Sequence, residues 1–510
     1  MTFDLPGPEY EEVTWIHNEH GSSSSSPLSR TARVPSAPPA AGDELPRQIS
    51  VNSYGYSRAD DWPLKSTLPF HLQDGELPED DGDILDWRER CLPLVDEVVA
   101  EIDGFDPASV VRGAWRGVIE AQQSRFSEVS TLVHGTAVYG AQIFAEVFAE
   151  RYVREFGAER QAEGLALLQG FSNISTDRAA DLWDLGRIAR RSAAVMLAIE
   201  SGALPPGNDN DEVAAEFRDG FESALDRYGH MNPLGMEDTP TWREDISVPL
   251  SMIWQYGMEG DDRSPRIVEQ VAMARRRELE AELTAAADES PAAAELIMLL
   301  PYAQHIGPVT EDHNLLADQM ILNASRNRWL KVGEMLLERG GVEDASDVFY
   351  YEFDELLELL ENNTPLGAKE LAARKEQIAR WRSVIPPAVI GKGARIDHGT
   401  GAEIVVTGMA AAAGSYTGRA RVVRKMTEAN VLEEGDVLVC DITIPAWTPY
   451  FAVIGAVVTN IGSILAHGAI VAREFGIPAV VATGDGTSVI PDGAIVTVDG
   501  TAGTVTVVGD

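Results

Sequence analysis

A mostly α-helical domain followed by a C-terminal domain of short strands is the fold class that this chain predicts. Three observations carry it. Apolar residues recur at helical spacing from about Leu85 to Arg382. The stretch "SVIPPAVIGKGARIDHGTGAE" (Ser383 to Glu403) then breaks that pattern with prolines and glycines. Beyond it the grammar becomes short β runs between glycine turns: "IVVTG", "GRARVVR", "GDVLVC", "GAVVTN", "PAVVATG", "AIVTVDG" and "TVTVV". At 510 residues the chain is long enough for roughly two to four domains with their own cores.

The elements follow in order. Residues 1–84 form an N-terminal segment in which "HGSSSSSPLSRTARVPSAPPAAG" predicts a flexible Ser/Pro-rich loop at about 20–45. The turn-rich acidic stretch "DGELPEDDGD" closes that segment at Asp83. Residues 85–382 read as a helical domain. Ile143, Phe144, Val147, Phe148 and Tyr152 make one apolar stripe stopped by Gly157, and Leu316, Met320, Trp329 and Leu336 make another stopped by Gly340. Asp354 is the expected N-cap of "ELLELLEN". Residues 383–403 read as a hinge, and residues 404–510 as a compact β-rich domain interrupted by one helix near His467 to Phe475.

Composition limits the partners. Eighty-one acidic against 41 basic residues give a formal net charge of −40. Such a surface repels a phosphate backbone, so nucleic acid is not an expected partner. Cys91 and Cys440, the only cysteines, lie far apart without metal-ligand spacing, which argues against a disulfide framework and suits a reducing cytoplasm. The opening "MTFDLPGPEYEEVTW" has neither the basic nor the apolar region of a signal peptide, and no apolar run approaches the roughly 20 residues of a membrane span. A cytoplasmic protein without a membrane partner is expected.

The chemistry-bearing stretch is "VVTNIGSILAHGAIVARE". It reads as a buried strand, a glycine turn and a helix that begins near Ala466, which places His467 in the first helical turn. Unpaired N–H groups and the helix dipole attract anions there. The small neighbours Ala466 and Gly468 are expected to leave the imidazole accessible, so that the ring can carry a phosphoryl group. Taken alone, the residue reads more readily as a structural or cap-region histidine at a helix start than as a carrier.

Four consecutive elements favour the carrier. "GMAAAAGSYTGRARVV", "GDVLVCDITIPAWTPYF", "VVTNIGSILAHGAIVAREFGIPAVVATGDGT" and "IPDGAIVTVDGTAGTV" together resemble the swivelling phosphohistidine domain of the PEP-utilizing enzymes. The resemblance implies a β/β/α fold for the C-terminal domain and implies that His467 is phosphorylated during catalysis. It places Thr459, Gly462 and Arg473 in the histidine motif, and Trp447 and Thr448 in the segment before it. Arg473 is expected to steady the phosphate, with a surface salt bridge as the other reading. The family usually has Gly-Gly and Ser/Thr-His where this chain has Gly462-Ser463 and Ala466-His467.

The helical region is similar to the substrate-binding half of rifampin phosphotransferase and of phenylphosphate synthase-type enzymes through "RYGHMNPLGMEDTPTWRED", "TEDHNLLADQ" and "ERGGVEDASDVFYYEFDELLELL". That resemblance implies an acceptor domain and a phenolic hydroxyl as acceptor. Nothing reads as eight βα units, so PEP formation is not expected. No long mixed-sheet region with a basic phosphate-gripping loop precedes the hinge, so a separate ATP-grasp subunit is expected to charge His467. Mg²⁺ is the expected cofactor of such transfer, without assigned ligands. His313, flanked by Glu311 and Asp312, is the candidate general base, its alternative being a polar cluster at a helix start. His134 and His230 are candidates for the acceptor pocket or else satisfied core histidines. An antibiotic acceptor, or a non-catalytic carrier, are the competing functional readings.

Overall fold

The computed structural model describes residues 13–17, 26–28, 48–51, 54–58, 87–207, 211–233, 235–383, 389–391, 405–424 and 426–508. Among them, helices dominate from Trp87 to Ser383 and a mixed sheet follows from Val405 to Val508.

The helices that position the site are α1 (Trp87–Asp103), α2 (Trp115–Leu132), α3 (Tyr139–Phe156), α4 (Ile174–Ala189), α5 (Pro265–Ala287), α6 (Ile306–His313), α7 (Met320–Glu338) and α8 (Phe353–Asn362). The apolar stripe of α3 is buried as its spacing requires, with Ile143, Phe144, Phe148 and Tyr152 in the core. Gly157 ends that helix at φ +96°, a conformation that a side chain resists. Gly340, at φ +69°, ends α7 in the same way. Helices α2 and α3 are not joined by a loop. A π-helical segment, Val133–Val138, runs between them, and a second one, Asn314–Gln319, joins α6 to α7. Widened turns of this kind break the regular ladder and recur at functional sites.

Three expectations need correction here. Asp354 does not cap α8: Glu352 is the N-cap and forms a capping box with Glu355, leaving Asp354 exposed in the first turn. The helix begins two residues early, at Phe353, whose ring is buried. The expected hinge is partly a strand. β4 (Val389–Gly391) pairs antiparallel with β1 (Thr14–His17), in a four-stranded sheet completed by β2 (Gln48–Val51) and β3 (Tyr54–Arg58) in the order β2-β3-β1-β4. The rest of the hinge lies outside the described residues. So does most of the Ser/Pro-rich loop, but Ser26 and Leu28 within it are fully buried, and Leu28 packs with Trp115, Ile119 and Trp329.

The C-terminal sheet has eight strands: β5 (Val405–Thr407), β6 (Met409–Ala412), β7 (Ser415–Val422), β8 (Val437–Cys440), β9 (Ala456–Thr459), β10 (Ala479–Val481), β11 (Ile495–Asp499) and β12 (Thr504–Val508). Their order is β5-β12-β11-β7-β8-β9-β10-β6. β7 through β10 run parallel, and antiparallel strands flank them on both sides. Every residue of β8, β9 and β10 is buried, as the continuous apolar runs "VLVC", "AVVT" and "AVV" require of strands covered on both faces. Helix α9 (His467–Glu474) is the crossover from β9 to β10. That connection puts its N-terminus at the carboxyl end of a parallel strand, where open α/β sheets place their ligands.

The two regions share a core. Trp447, Tyr450, Phe451 and Ala469 of the sheet domain pack in one apolar body with Trp183, Trp242 and Tyr256 of the helices. Leu465 and Ile470, on either side of His467, join a second body built from α1, α3, α6 and their neighbours.

Candidate active site

Helix α9 begins at His467 with Ala466 as N-cap, and Ala466 offers no side chain to the first turn. Gly468 does not serve to expose the imidazole, as the sequence suggested. A Cβ there would lie 2.3 Å from Thr443 Oγ1, so the missing side chain lets Thr443 pack against the first turn. The His467 side chain is only 9% exposed. Its ring meets Phe451 edge-on, with centroids 6.4 Å apart.

The decisive contact crosses between the two regions. His467 Nδ1 lies 2.7 Å from Glu311 Oε1 on α6, while His467 Nε2 is buried without a hydrogen-bond partner. A carboxylate on Nδ1 accepts that proton and leaves the Nε2 lone pair as the reactive position. Burial would raise the Glu311 carboxyl, but the charge and hydrogen bond of His467, with Ser175 and Arg178, outweigh it and hold the carboxyl below its ordinary range. Arg178 is itself fully buried on α4 and stacks 5.9 Å over Trp242. Burial pulls its guanidinium down, against the pull of Glu311. Sequence reasoning missed it, although an arginine among the small residues of "STDRAADLW" is the available signal.

The residues of the histidine motif build the seat of the imidazole. Thr459 ends β9 and donates its hydroxyl to the Ile461 carbonyl at 2.8 Å. It shares a narrow cleft with Thr443, Gly462, Ala466 and Gly468. Gly462 stands at φ +143° with Thr459 and Ala466 against it. Thr448 and Trp447 are buried in the Pro445–Ala452 segment. Among the described residues Arg473 forms no surface salt bridge. Buried at the far end of α9, it donates from Nη1 to the carbonyls of Ile464 (2.6 Å) and Ala411 (2.8 Å), and so ties down the loop that leads to His467. Burial lowers its pKa to about 10.

Glu311, Asp312 and His313 end α6 rather than start a helix, and all three are buried, so capping does not explain them. Successive positions on a helix point in different directions. Glu311 meets His467. Asp312 accepts from Ile174 N at 2.7 Å and pairs with Arg88, which makes it a strut between α1, α4 and α6 rather than a substrate ligand. His313 donates from Nδ1 to Val309 O at 2.8 Å and stacks edge-on with His134, centroids 5.1 Å apart. His230 donates from Nε2 to Leu315 O (3.1 Å) in the second π segment, the satisfied arrangement, and burial lowers its pKa. His134, His230, Glu311 and His313 thus converge on one place, the junction of the π segments with α6.

Across the partner face of α9, Glu474 accepts from Gly170 N at 3.1 and 3.2 Å, and its burial raises the carboxyl to about 7.

Two family models match this chain. "PEP-utilising enzyme, mobile domain" matches residues 432–503, which contain His467, and "Rifampicin phosphotransferase fourth domain" matches residues 134–311, which end on Glu311. The chain belongs to the PEP-utilising enzyme family. Among relatives, a rifampicin phosphotransferase from a Streptomyces species is 30% identical over 371 residues, covering 69% of this chain and 42% of the relative. The rifampicin phosphotransferase of Bacillus subtilis (strain 168) is 25% identical over 448 residues, covering 84% and 50%. A phosphoenolpyruvate synthase from Aeropyrum pernix is 50% identical over 104 residues, covering 20% and 13%. The chain spans half or less of the length of these curated relatives. In this PEP-utilising family member, no described helix is long and apolar enough to cross a membrane.

The family chemistry implies Mg²⁺. Among the described residues, the group whose metal-binding atoms converge is His134, His313 and Asp318. Two imidazoles and one carboxylate do not fit Mg²⁺, which prefers an octahedral shell of oxygens.

Proposed function

We propose that this chain is a phosphotransferase component in which His467 carries a phosphoryl group on Nε2 and delivers it to a substrate hydroxyl. One observation carries the reading: Nδ1 of His467 is engaged by Glu311 while Nε2 is left without a partner, inside the segment matched by the mobile-domain model. A separate ATP-grasp subunit charges the histidine from ATP, giving AMP and orthophosphate as the γ-phosphoryl passes to water. The acceptor is a phenolic hydroxyl.

In the transfer step the acceptor oxygen attacks phosphorus, the O–P bond forms and the Nε2–P bond breaks. The ring departs as neutral imidazole because Nδ1 keeps its proton, and Glu311 holds that proton in place throughout. Arg178 faces the same buried carboxylate and is the cation nearest in role to a phosphate anchor. The acceptor's own proton leaves to a general base; His313, the residue that the sequence offered for this, is turned toward His134 and Asp318 instead.

A larger, rifamycin-like acceptor is the second reading. It is supported by the match over residues 134–311 and by a half-open groove of about 490 Å³ lined by Ile199, Ser251, Trp254, Gln255 and Tyr450. That size lies within the roughly 300–1,000 Å³ of sites for drug-sized ligands. Mass spectrometry of the chain after incubation with an ATP-grasp partner, ATP and Mg²⁺ tests the carrier. Phosphate on His467 is expected, and phosphate on any other residue overturns the reading. Turnover with phenols against rifamycins then separates the two acceptors.

A further inference from the structure

The π segments bring together three side chains that the transfer step leaves unused. His134 lies in the first, Asp318 in the second, and His313 is the residue before the second. His134 Nε2 is 3.4 Å from Asp318 Oδ2, and His313 Nε2 is 3.7 Å from the same oxygen. These separations are longer than an ordinary N–H···O bond of about 2.7–3.2 Å. They match instead the edge of a tetrahedron around a cation: ligands at about 2.0–2.1 Å from Zn²⁺ stand about 3.4 Å apart. All three ligand atoms lie within 4.8 Å of one another, so a modest closing of the two imidazoles completes the set.

The orientation of both rings points the same way. His134 donates from Nδ1 to Ser130 O at 2.9 Å, and His313 from Nδ1 to Val309 O at 2.8 Å. A carbonyl one turn back thereby engages each Nδ1, and each Nε2 faces Asp318. Metal-binding histidines are held in this way, by a backbone carbonyl on the opposite nitrogen. A regular helix would not set these donors together. The extra residue of each π turn rotates His134 and Asp318 toward each other across the junction with α6.

We propose that His134, His313 and Asp318 bind one divalent transition-metal ion of the Zn²⁺ type, in a three-ligand site with a coordination position open to an oxygen donor. The ion clamps the two π segments together and steadies α6, whose Glu311 is two residues from the ligand His313. The inference stands apart from phosphoryl transfer, because metal is measured directly on the full-length chain.

The experiment strips the full-length chain with a chelator and titrates it with Co²⁺, following visible absorption, and then with Zn²⁺, following bound metal by elemental analysis. One equivalent per chain is expected, with a d–d band displaced by Zn²⁺ but not by a large excess of Mg²⁺. Asp318→Asn and His134→Asn are each expected to weaken binding by roughly tenfold to a hundredfold or more. Asp318 is partly exposed, so its variant is expected to keep the near-ultraviolet circular dichroism of the folded chain. Absence of stoichiometric binding, displacement by Mg²⁺, or undiminished affinity in the folded Asp318→Asn variant overturns the proposal.

Discussion

The two halves of the site are built by opposite means. In the sheet domain the functional groups come from one stretch of chain: β9, a glycine turn and the first turn of α9 put Thr459, Gly462 and His467 within nine positions. In the helical region, Arg178, His230, Glu311 and Asp318 come from separate elements and meet only through packing around α6 and the π segments. The comparison teaches that the contiguous half presents the His467 imidazole, whereas the dispersed half engages its Nδ1 and determines what it faces.

Removing the nucleophile gives the largest effect. His467→Ala is expected to abolish phosphate incorporation and to lower turnover by roughly 10⁴-fold or more, read by mass spectrometry and product release. Retained turnover would show that the contiguous half carries no chemistry.

Next comes the dispersed half. Glu311→Gln keeps the shape but weakens the hold on the Nδ1 proton, and is expected to slow acceptor phosphorylation by about 10²-fold. Phosphorylation of His467 itself continues in the same variant, because Glu311 meets the ring only while the two regions are docked. Equal loss in both half-reactions would erase the distinction between the halves.

The Glu474 contact sharpens the comparison by pH. Its carboxyl is raised to about 7 in the docked state, against an ordinary value near 4.5, so its stabilising contribution is complete below about 4.5 and is lost as pH rises through about 7. Inter-domain distance measured by paired labels is expected to show docking weaker at pH 8 than at pH 5 by roughly 70-fold. Glu474→Gln, neutral throughout, is expected to remain docked at both.

The smallest effect is local. Gly468→Ala drives a methyl group into Thr443 and is expected to cost about 1–3 kcal/mol, measured by thermal unfolding of the full chain. Thr443→Ala in the same chain is expected to restore most of it.

What the sequence made legible follows from this contrast. The change from helical to strand periodicity, the buried parallel strands and the position of His467 at a helix start depend on short-range pattern, and the quoted stretches carry them directly. Glu311 was visible as a polar residue beside His313, but its partner lies 156 positions away, and no local pattern encodes that distance. Asp312 and His313 share a tripeptide with Glu311 yet point to Arg88 and to His134, because a helix distributes neighbours around its axis. The π segments were illegible for a related reason. They read as ordinary helix in apolar spacing, and only the extra residue per turn, fixed by packing, brings His134 and Asp318 together. Arg473 misled because a charged residue in a surface-like motif suggests solvent, whereas its guanidinium satisfies two buried carbonyls.

The near-complete cover over the imidazole has a consequence for fidelity. A phosphoramidate bond is readily spent on water, and the seat formed by Phe451, Thr443 and Glu311 leaves solvent little approach to it. Under the proposed function this cover shields a loaded imidazole and favours productive discharge over wasteful hydrolysis. On the same proposal each new charge requires the cover to open, so the rate of opening sets an upper bound on the proposed cycle.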